Sequence, residues 1–405
     1  MYSKNKFLEL SPGGGWYQDA WPTNRVRFPA IGPAVSTIIS AAFLTAASSL
    51  PALAYDVTDK FSIGATITGV LQHGEFSGAN IDDQSRGAVV TDIGVNFQPT
   101  NRDEFDLVVS FASGNGLNAI SPYGSHPLYA DDLEDDLENI NGRNRDYLLT
   151  AWYKHTFALS ETNSLGLTGG IIGATGYIDD NEYANDEVSQ FMNEAFVNNT
   201  LHVPPDFDTG IAAELDLGDR WSARGVWMSS KNDLTLGSYT TKRAYNYFAG
   251  QLGFHTESGN YRLWAQGTSS DFANPAGTEA ESLSSIGLSL DHQLTDTVGA
   301  FARFGWQNDD ANVNHDSLYS GGLNLNGSLW GRANDEIGIG YAHLEGGNGT
   351  TNGAIQETDI MEGYIKFQFS EYADLSLDVQ YLDEEKLGTG DPSGFVYGMR
   401  VNAYF

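Results

Sequence analysis

The last twelve residues of the chain, 394–405, alternate between apolar and polar positions. A period of two residues is typical of a β-strand, because successive side chains point to opposite faces. One face carries Phe395, Tyr397, Met399, Val401, Ala403 and Phe405, and the other carries Gly398, Arg400 and Asn402. A strand that separates hydrocarbon from water in this way predicts a transmembrane β-barrel.

The same alternation begins at residue 61 and recurs along the chain, giving sixteen runs in all. Each run is close to the roughly 9 to 11 residues that a tilted strand needs to cross a bilayer. The runs lie at 61–73, 87–98, 104–112, 146–157, 164–177, 207–217, 221–230, 245–255, 260–269, 283–293, 298–307, 319–330, 335–344, 358–369, 375–383 and 395–405. They predict an all-β fold, a transmembrane antiparallel β-barrel of sixteen strands.

The connections between these runs alternate between long and short. The seven short ones are tight turns, such as 99–103, 218–220, 256–260 and 331–334. The eight long ones are 74–86, 113–145, 178–206, 231–244, 270–282, 308–318, 345–357 and 384–394. Sixteen antiparallel strands with both termini on the short-turn side require this order. We therefore predict short periplasmic turns and long extracellular loops.

Aromatic residues mark the short-turn ends of the runs, on the apolar face. They are Phe97, Phe105, Phe157, Trp221, Phe254, Tyr261, Phe369 and Phe405. Rings at this level form the girdle that membrane barrels place at a membrane surface.

The beginning of the chain resembles a secretory signal rather than a strand. Arg25 and Arg27 precede a weakly polar stretch whose most apolar part is 38–44, and Ala52 and Ala54 give a small-x-small cleavage signature. We expect residues 1–54 to be an N-terminal extension with a cleavable signal peptide, and 55–405 to be the barrel domain. The net charge of -32 excludes nucleic acid backbones as partners, and the absence of cysteine excludes disulfides.

Strand parity assigns a polar set of side chains to the lumen. Our candidates for the solute path are Arg224, Arg262, Trp264, Arg303, Glu362, Tyr364, Lys366 and Arg400. Arginine and carboxylate groups offer directional donors and acceptors to hydroxyls, and an aromatic face can cover a sugar ring. The alternative is a generic wet lumen whose mixed charges pair with one another and set ion preference.

Two long loops are candidates for a constriction, since a sixteen-strand lumen is too open to select solutes. In 113–145, helical spacing of Leu133, Leu137 and Ile140 suggests a short amphipathic helix. In 178–206, a second helical pattern covers 188–196 and follows the potential caps Asn185 and Asp186. The constriction candidates in that loop are Asn185, Asp186 and Glu187.

Few motifs in the sequence indicate catalysis or the binding of a metal or cofactor. The histidines show no metal-ligand spacing and the glycine runs do not open a helix, so we predict neither a metal site nor a cofactor. A Ser-His enzyme in a barrel remains an alternative, because triad partners meet in space rather than in sequence.

Several strings resemble the carbohydrate-selective porins of the OprB type. They include 131–155, 167–179, 183–187, Phe301-Ala-Arg-Phe-Gly-Trp306 and Val396-Tyr-Gly-Met-Arg400. The resemblance implies a sixteen-strand outer-membrane pore in a Gram-negative bacterium for passive uptake of glucose and related small sugars, narrowed by inward-folded loops. It also implies contact with outer-membrane lipid and lipopolysaccharide, and recognition of Phe405 by barrel-assembly machinery. A general cation-preferring porin is the alternative, and either a homotrimer or a monomer is compatible.

Overall fold

The computed structural model describes residues 55–129 and 132–405. Sixteen strands form one barrel, numbered here in chain order. They are β1 (Phe61–Ser77), β2 (Gln84–Thr100), β3 (Asp103–Ser113), β4 (Leu148–Ala158), β5 (Asn163–Ile172), β6 (Asp208–Leu217), β7 (Trp221–Leu236), β8 (Tyr239–His255), β9 (Gly259–Thr268), β10 (Ser284–Thr295), β11 (Val298–Gln307), β12 (His315–Asn326), β13 (Glu336–Gly346), β14 (Ile355–Ser370), β15 (Ala373–Lys386) and β16 (Ser393–Tyr404). The predicted signal segment, 1–54, lies outside the described residues.

Each barrel strand pairs antiparallel with the next, and β16 returns to pair with β1. The closing register runs from Ser393 opposite Ser77 to Tyr404 opposite Thr66. Closure leaves no unpaired sheet edge, which is what a hydrocarbon environment demands. The predicted antiparallel barrel of sixteen strands is confirmed.

The two faces of the last strand follow the predicted parity. Phe395, Tyr397, Met399 and Val401 are exposed on the outside of the barrel. Their neighbours Arg400 and Asn402 are buried on the inside. Because side chains alternate along a strand, one register assigns every position, and the apolar set faces outward.

The outward rings at the short-turn end contact one another across strands. Phe105 lies 6.1 Å from Phe97 and 4.7 Å from Tyr153 between ring centroids. Trp221 lies 4.7 Å from Phe254. These cross-strand pairs form the aromatic girdle that the sequence predicts at this end.

The prediction of a long loop at 231–244 is wrong. β7 and β8 continue through it, from Lys231 opposite Ala244 to Leu236 opposite Tyr239, and turn at 237–238. Gly237 adopts a φ of 59°, a value that glycine reaches without strain. This hairpin extends beyond the apolar band, so both faces meet water and the alternation disappears.

Two predicted strands are too long at their C-terminal ends. The runs 164–177 and 319–330 end as strands at Ile172 and Asn326. Short 3-10 helices, Ala174–Gly176 and Gly327–Trp330, follow them. Elsewhere Tyr55–Thr58 pairs with the start of β1, and Phe272–Ala273 pairs with Ala280–Glu281 in the loop after β9.

The two helices predicted in the long loops are also corrected. Residues 133–140 form turns followed by the 3-10 helix Ile140–Gly142, because Asn139 and Asn141 adopt positive φ angles that end helical geometry. A 3-10 helix, Gly116–Ala119, lies earlier in that loop. In the second loop the α-helix has one turn, Glu194–Val197, and Asn193 caps it. Among the described residues, no helix is long and apolar enough to span a membrane.

Candidate functional site

Two connections on the long-loop side enter the barrel. We call residues 114–147 inner loop A and residues 173–207 inner loop B. Inner loop B joins β5 to β6, yet its residues bond to β14, which lies eight strands from β6 in a ring of sixteen and therefore opposite it. Inner loop A also reaches that side, because Gln380 on β15 donates to its Pro127 carbonyl at 2.9 Å. Inner loop B therefore crosses the lumen, and inner loop A extends from β3 to the wall at β15.

Arg303 on β11 holds inner loop B near its two ends. The guanidinium donates to the carbonyl oxygens of Ala184, Phe196 and Asp179. Its Nε lies 3.1 Å from the Asp179 carboxylate, and both side chains are 0% exposed. Asn185 accepts a further bond from Arg303 at 3.1 Å. A buried guanidinium needs this many partners, because an unpaired buried charge is costly.

Arg400 and Glu362 hold the middle of inner loop B. Arg400 on β16 donates to the carbonyls of Glu187 at 2.5 Å and Gln190 at 2.7 Å. Glu362 on β14 accepts from the backbone N–H groups of Met192 at 2.5 Å and Asn193 at 3.0 Å. Together the two side chains fix the loop on the far wall.

The two predicted aromatic platforms are packed into this assembly. Trp264 on β9 is 1% exposed and donates its ring N–H to Asp179 at 2.8 Å. The Tyr364 ring on β14 packs edge-on against Phe191 with centroids 5.0 Å apart, and its hydroxyl bonds to Glu336. Both rings therefore contact inner loop B.

Three basic side chains of the predicted set pair with carboxylates instead of loop carbonyls. Arg262 on β9 contacts Asp180 at 2.5 Å and Asp291 at 2.6 Å, and Arg224 on β7 contacts Asp216 at 2.8 Å. The Asp180 side chain is 39% exposed, whereas those of Arg262 and Asp291 are 5% and 3% exposed, so only the Asp180 end of this network meets water. Lys366 on β14 lies 3.7 Å from Glu336.

The predicted constriction residues lie in inner loop B and are buried. The Asn185 side chain accepts from Arg303, and the Asp186 carboxylate accepts from the N–H groups of Val188 at 2.8 Å and Ser189 at 3.1 Å. Glu187 contributes its backbone carbonyl to Arg400. The three residues therefore shape the turn that spans the lumen.

Sequence reasoning missed Asp179 and Asn193, which organise inner loop B. Asp179 accepts from Trp264 and from the Asn199 N–H at 2.7 Å, and Asn193 donates to Gln380 at 3.0 Å. Asp179 lies just beyond the predicted strand 164–177, and Asn193 lies at a polar position of the helical pattern in 188–196, so neither stood out. Across 55–129 and 132–405, no group of three or more acidic, histidine or cysteine side chains is placed to hold a metal ion.

The geometry is that of a sixteen-strand barrel with a loop pinned across its lumen. A family model described as the carbohydrate-selective porin, OprB family, matches residues 135–405. The chain belongs to this family. As an OprB-family porin it is a multi-pass β-barrel of the outer membrane and a sugar-selective channel, and both family and fold are those of channel proteins rather than enzymes.

The chain is also similar to individual proteins. An uncharacterized protein of Aquifex aeolicus (strain VF5) is 31% identical over 303 residues, 74% of this chain and 83% of that protein. The high-pH structure of Pseudomonas putida OprB has a TM-score of 0.67 at 16% identity, covering 85% of this chain and 94% of that one. The outer membrane channel DcaP of Acinetobacter baumannii has a TM-score of 0.51 at 8% identity, covering 87% and 99%. The two solved structures support the fold alone.

Proposed function

We propose that this OprB-family porin carries glucose and related small sugars across the outer membrane by passive diffusion. The observation that supports this most directly is inner loop B, which Arg303, Arg400 and Glu362 hold across the lumen. A barrel of sixteen strands is otherwise wide enough for an aqueous channel. Narrowing it brings solute and wall into contact, which is the condition for selecting a sugar by its hydroxyls.

In this proposal the wall supplies weak, exchangeable hydrogen bonds. The Arg262 guanidinium and its partner carboxylates, Asp180 and Asp291, offer donors and acceptors side by side, and Arg224 with Asp216 repeats the arrangement. Binding must be weak enough to release the sugar on the other side. Arg224, Arg262 and Lys366 are the proposed path residues, while Arg303, Arg400, Glu362, Trp264 and Tyr364 position the loop that defines the path.

A general cation-preferring porin is the second candidate. The net charge of -32 favours it, because acidic groups at a channel mouth concentrate cations. The two functions differ in what glucose does to an open channel. A sugar channel binds glucose in its narrow part, whereas a general porin lets glucose pass without occupying a site.

Planar bilayer recordings test the proposal. We expect glucose titrated into a single open channel to reduce the ion current saturably, and labelled glucose to equilibrate across proteoliposomes without an energy source. A current unchanged at high glucose, with a zero-current potential that reports strong cation preference, would replace the sugar channel with the general porin.

The proposal includes the surroundings of the barrel. The exposed outer face, such as Leu71, Phe248 and Met361, is proposed to contact outer-membrane lipid and lipopolysaccharide, and Phe405 to be recognised by assembly machinery.

We also propose removal of residues 1–54 after Ala54. Mass spectrometry of the membrane-extracted protein tests the cleavage, and cross-linking in native membranes separates a monomer from a homotrimer.

A further inference from the structure

A cavity of about 250 Å³ lies at the long-loop end of the barrel. Inner loop A contributes Asn141, inner loop B contributes Thr200, and the β7–β8 hairpin contributes Asn232 and Tyr245. Gln307, at the end of β11, is a further lining residue. None of these side chains takes part in clamping inner loop B at Arg303, Arg400 or Glu362, so the cavity is separate from the constriction.

One wall of the cavity is aromatic. Tyr245 and Phe272 line it, with ring centroids 5.3 Å apart and planes at 73°. Leu283 adds apolar surface beside them. Such a wall covers the C–H face of a sugar ring, while the ring's hydroxyls point away from it.

The hydroxyl groups of a sugar also need hydrogen-bond partners, and side-chain amides in the cavity supply them. Gln307 donates its Nε2 to the His315 carbonyl at 2.8 Å, and Asn232 donates its Nδ2 to the Asp271 carbonyl at 2.9 Å. Each amide thus uses one of its two N–H groups within the protein, and its carbonyl oxygen is an acceptor for a ligand hydroxyl. Within the described part of the chain, the buried Oε1 of Gln307 and Oγ1 of Thr200 have no hydrogen-bond partner. A hydroxyl that reaches them supplies the missing bond.

Charge and size narrow the ligand class. Glu194 and Asp206 line the cavity together with Lys231, so the lining has no cluster of cations that would favour an anionic ligand. The volume lies below the roughly 300–1,000 Å³ that is typical for sites of drug-sized ligands. A neutral monosaccharide or disaccharide fits these limits.

We propose that this cavity is an outer capture subsite, which binds a neutral mono- or disaccharide before the sugar enters the constriction. The inference rests on the proposed sugar transport and adds a second position to it. A weak site at the mouth raises local sugar concentration and speeds entry when external sugar is scarce, provided that the sugar is released quickly.

Single-channel recordings of the folded protein, with D-glucose added to one side at a time, test the subsite. Phe272→Ala removes one aromatic surface, and Thr200→Val removes an unpartnered hydroxyl while keeping the side-chain shape. We expect each variant to keep the sugar-free conductance and to weaken glucose block from the long-loop side by roughly three- to tenfold. The matched control is Phe248→Ala, because Phe248 lies on β8 with Tyr245 but is 54% exposed on the outer face.

The outcomes separate this inference from the transport proposal. Wild-type block from the long-loop side in both Phe272→Ala and Thr200→Val overturns the capture subsite and leaves sugar transport standing. Absence of glucose block and glucose flux in the unmodified protein overturns both. Stronger block by glucose 6-phosphate than by glucose contradicts the neutral ligand class and also overturns the inference.

Discussion

Arg303 and Arg262 project into the same lumen from nearby strands, but they bond to different kinds of group. Arg303 donates to three backbone carbonyls of inner loop B and pairs with a fully buried carboxylate. Arg262 pairs with Asp180 and Asp291, and the Asp180 side chain is 39% exposed. Bonds to carbonyls fix the position of a chain segment, whereas a pair with a partly exposed carboxylate such as Asp180 creates a local field that a solute meets. Pointing inward therefore does not by itself make an arginine part of the solute path.

The first prediction removes the contacts that Arg303 makes with inner loop B. Arg303→Met leaves the Asp179 charge buried without its partner, and removing one member of a buried pair costs about 3–5 kcal/mol. Because three loop carbonyls also lose their donor, we expect inner loop B to leave the lumen. Single-channel recordings should show a severalfold larger and noisier conductance, with glucose block abolished.

A double variant serves as the control. Asp179→Asn added to Arg303→Met removes the uncompensated charge, so it should restore part of the thermal stability while the conductance remains high. A wild-type conductance and wild-type glucose block in Arg303→Met would mean that other contacts suffice to hold the loop.

The second prediction concerns the C-terminal end of inner loop B, where Asp206 is partly buried. Burial, with a smaller contribution from Asp208, raises the pKa of Asp206 from 3.8 to about 7, although Arg145 opposes the shift. The folded state therefore holds a proton that the unfolded chain releases near pH 4. Stability of the loop packing should fall between about pH 4 and 7, by on the order of 3 kcal/mol for Asp206, whose partial exposure reduces the effect.

Amide hydrogen exchange at pH 5 and pH 8, corrected for intrinsic rates, measures this effect. Protection of residues 133–140 and 203–207 should be greater at pH 5, and Asp206→Asn should remove much of the difference. Equal protection at both pH values in the unmodified protein would show that ionisation of Asp206 does not affect the packing of the two loops.

The third prediction removes the ion pairs that Arg262 makes with Asp180 and Asp291. Arg262→Met leaves Asp291 and Asp180 without their cation. We expect a cost of about 1–3 kcal/mol, because Asp180 is partly exposed and the buried Asp291 still accepts from Asn260 at 2.7 Å. Inner loop B should remain in place, since Asn181 still donates to Ser289 and to the Leu290 carbonyl, both at 3.1 Å. We expect an unchanged open-channel size, a stronger cation preference and weaker glucose block.

Arg332→Met is the charge-matched control for Arg262→Met. Arg332 lies at a short turn, is 51% exposed and pairs with Asp335. Its loss should leave both zero-current potential and glucose block unchanged. An Arg262→Met channel with the conductance of Arg303→Met would show that Arg262 also holds the loop, and the distinction between the two arginines would fail.

The strands could be predicted from sequence because the membrane imposes a rule on every residue in them. Each side chain faces either hydrocarbon or the lumen. A period of two therefore gives the number and order of the strands, and which side chains face inward. The rule stops where the hydrocarbon ends. The β7–β8 hairpin continues beyond it with polar side chains on both faces, and its strands at 231–244 carry no alternation to detect.

The inner loops could not be predicted in the same way. Their conformation depends on wall residues far away in sequence, such as Glu362, which bonds to backbone atoms 169 and 170 positions earlier. Helical spacing in 133–140 indicates which residues are buried, but positive φ angles at Asn139 and Asn141 prevent a helix. Parity places Arg303 and Arg262 on the same face, and only the path of the loop separates their roles.

The last prediction concerns Arg224, which should give the smallest effect. Arg224 pairs with Asp216, and the side chains are 20% and 16% exposed, so both groups keep contact with water. Its other hydrogen bonds go to the carbonyls of Leu215 and Ala223 on the wall. Arg224→Gln should therefore cost about 0.2–1 kcal/mol, as for a hydrated ion pair, and leave conductance and loop protection at wild-type values. A slight rise in cation preference, measured as zero-current potential, is the expected change. If Arg224→Gln instead enlarges the channel, the wall itself, rather than inner loop B, sets the narrowest point.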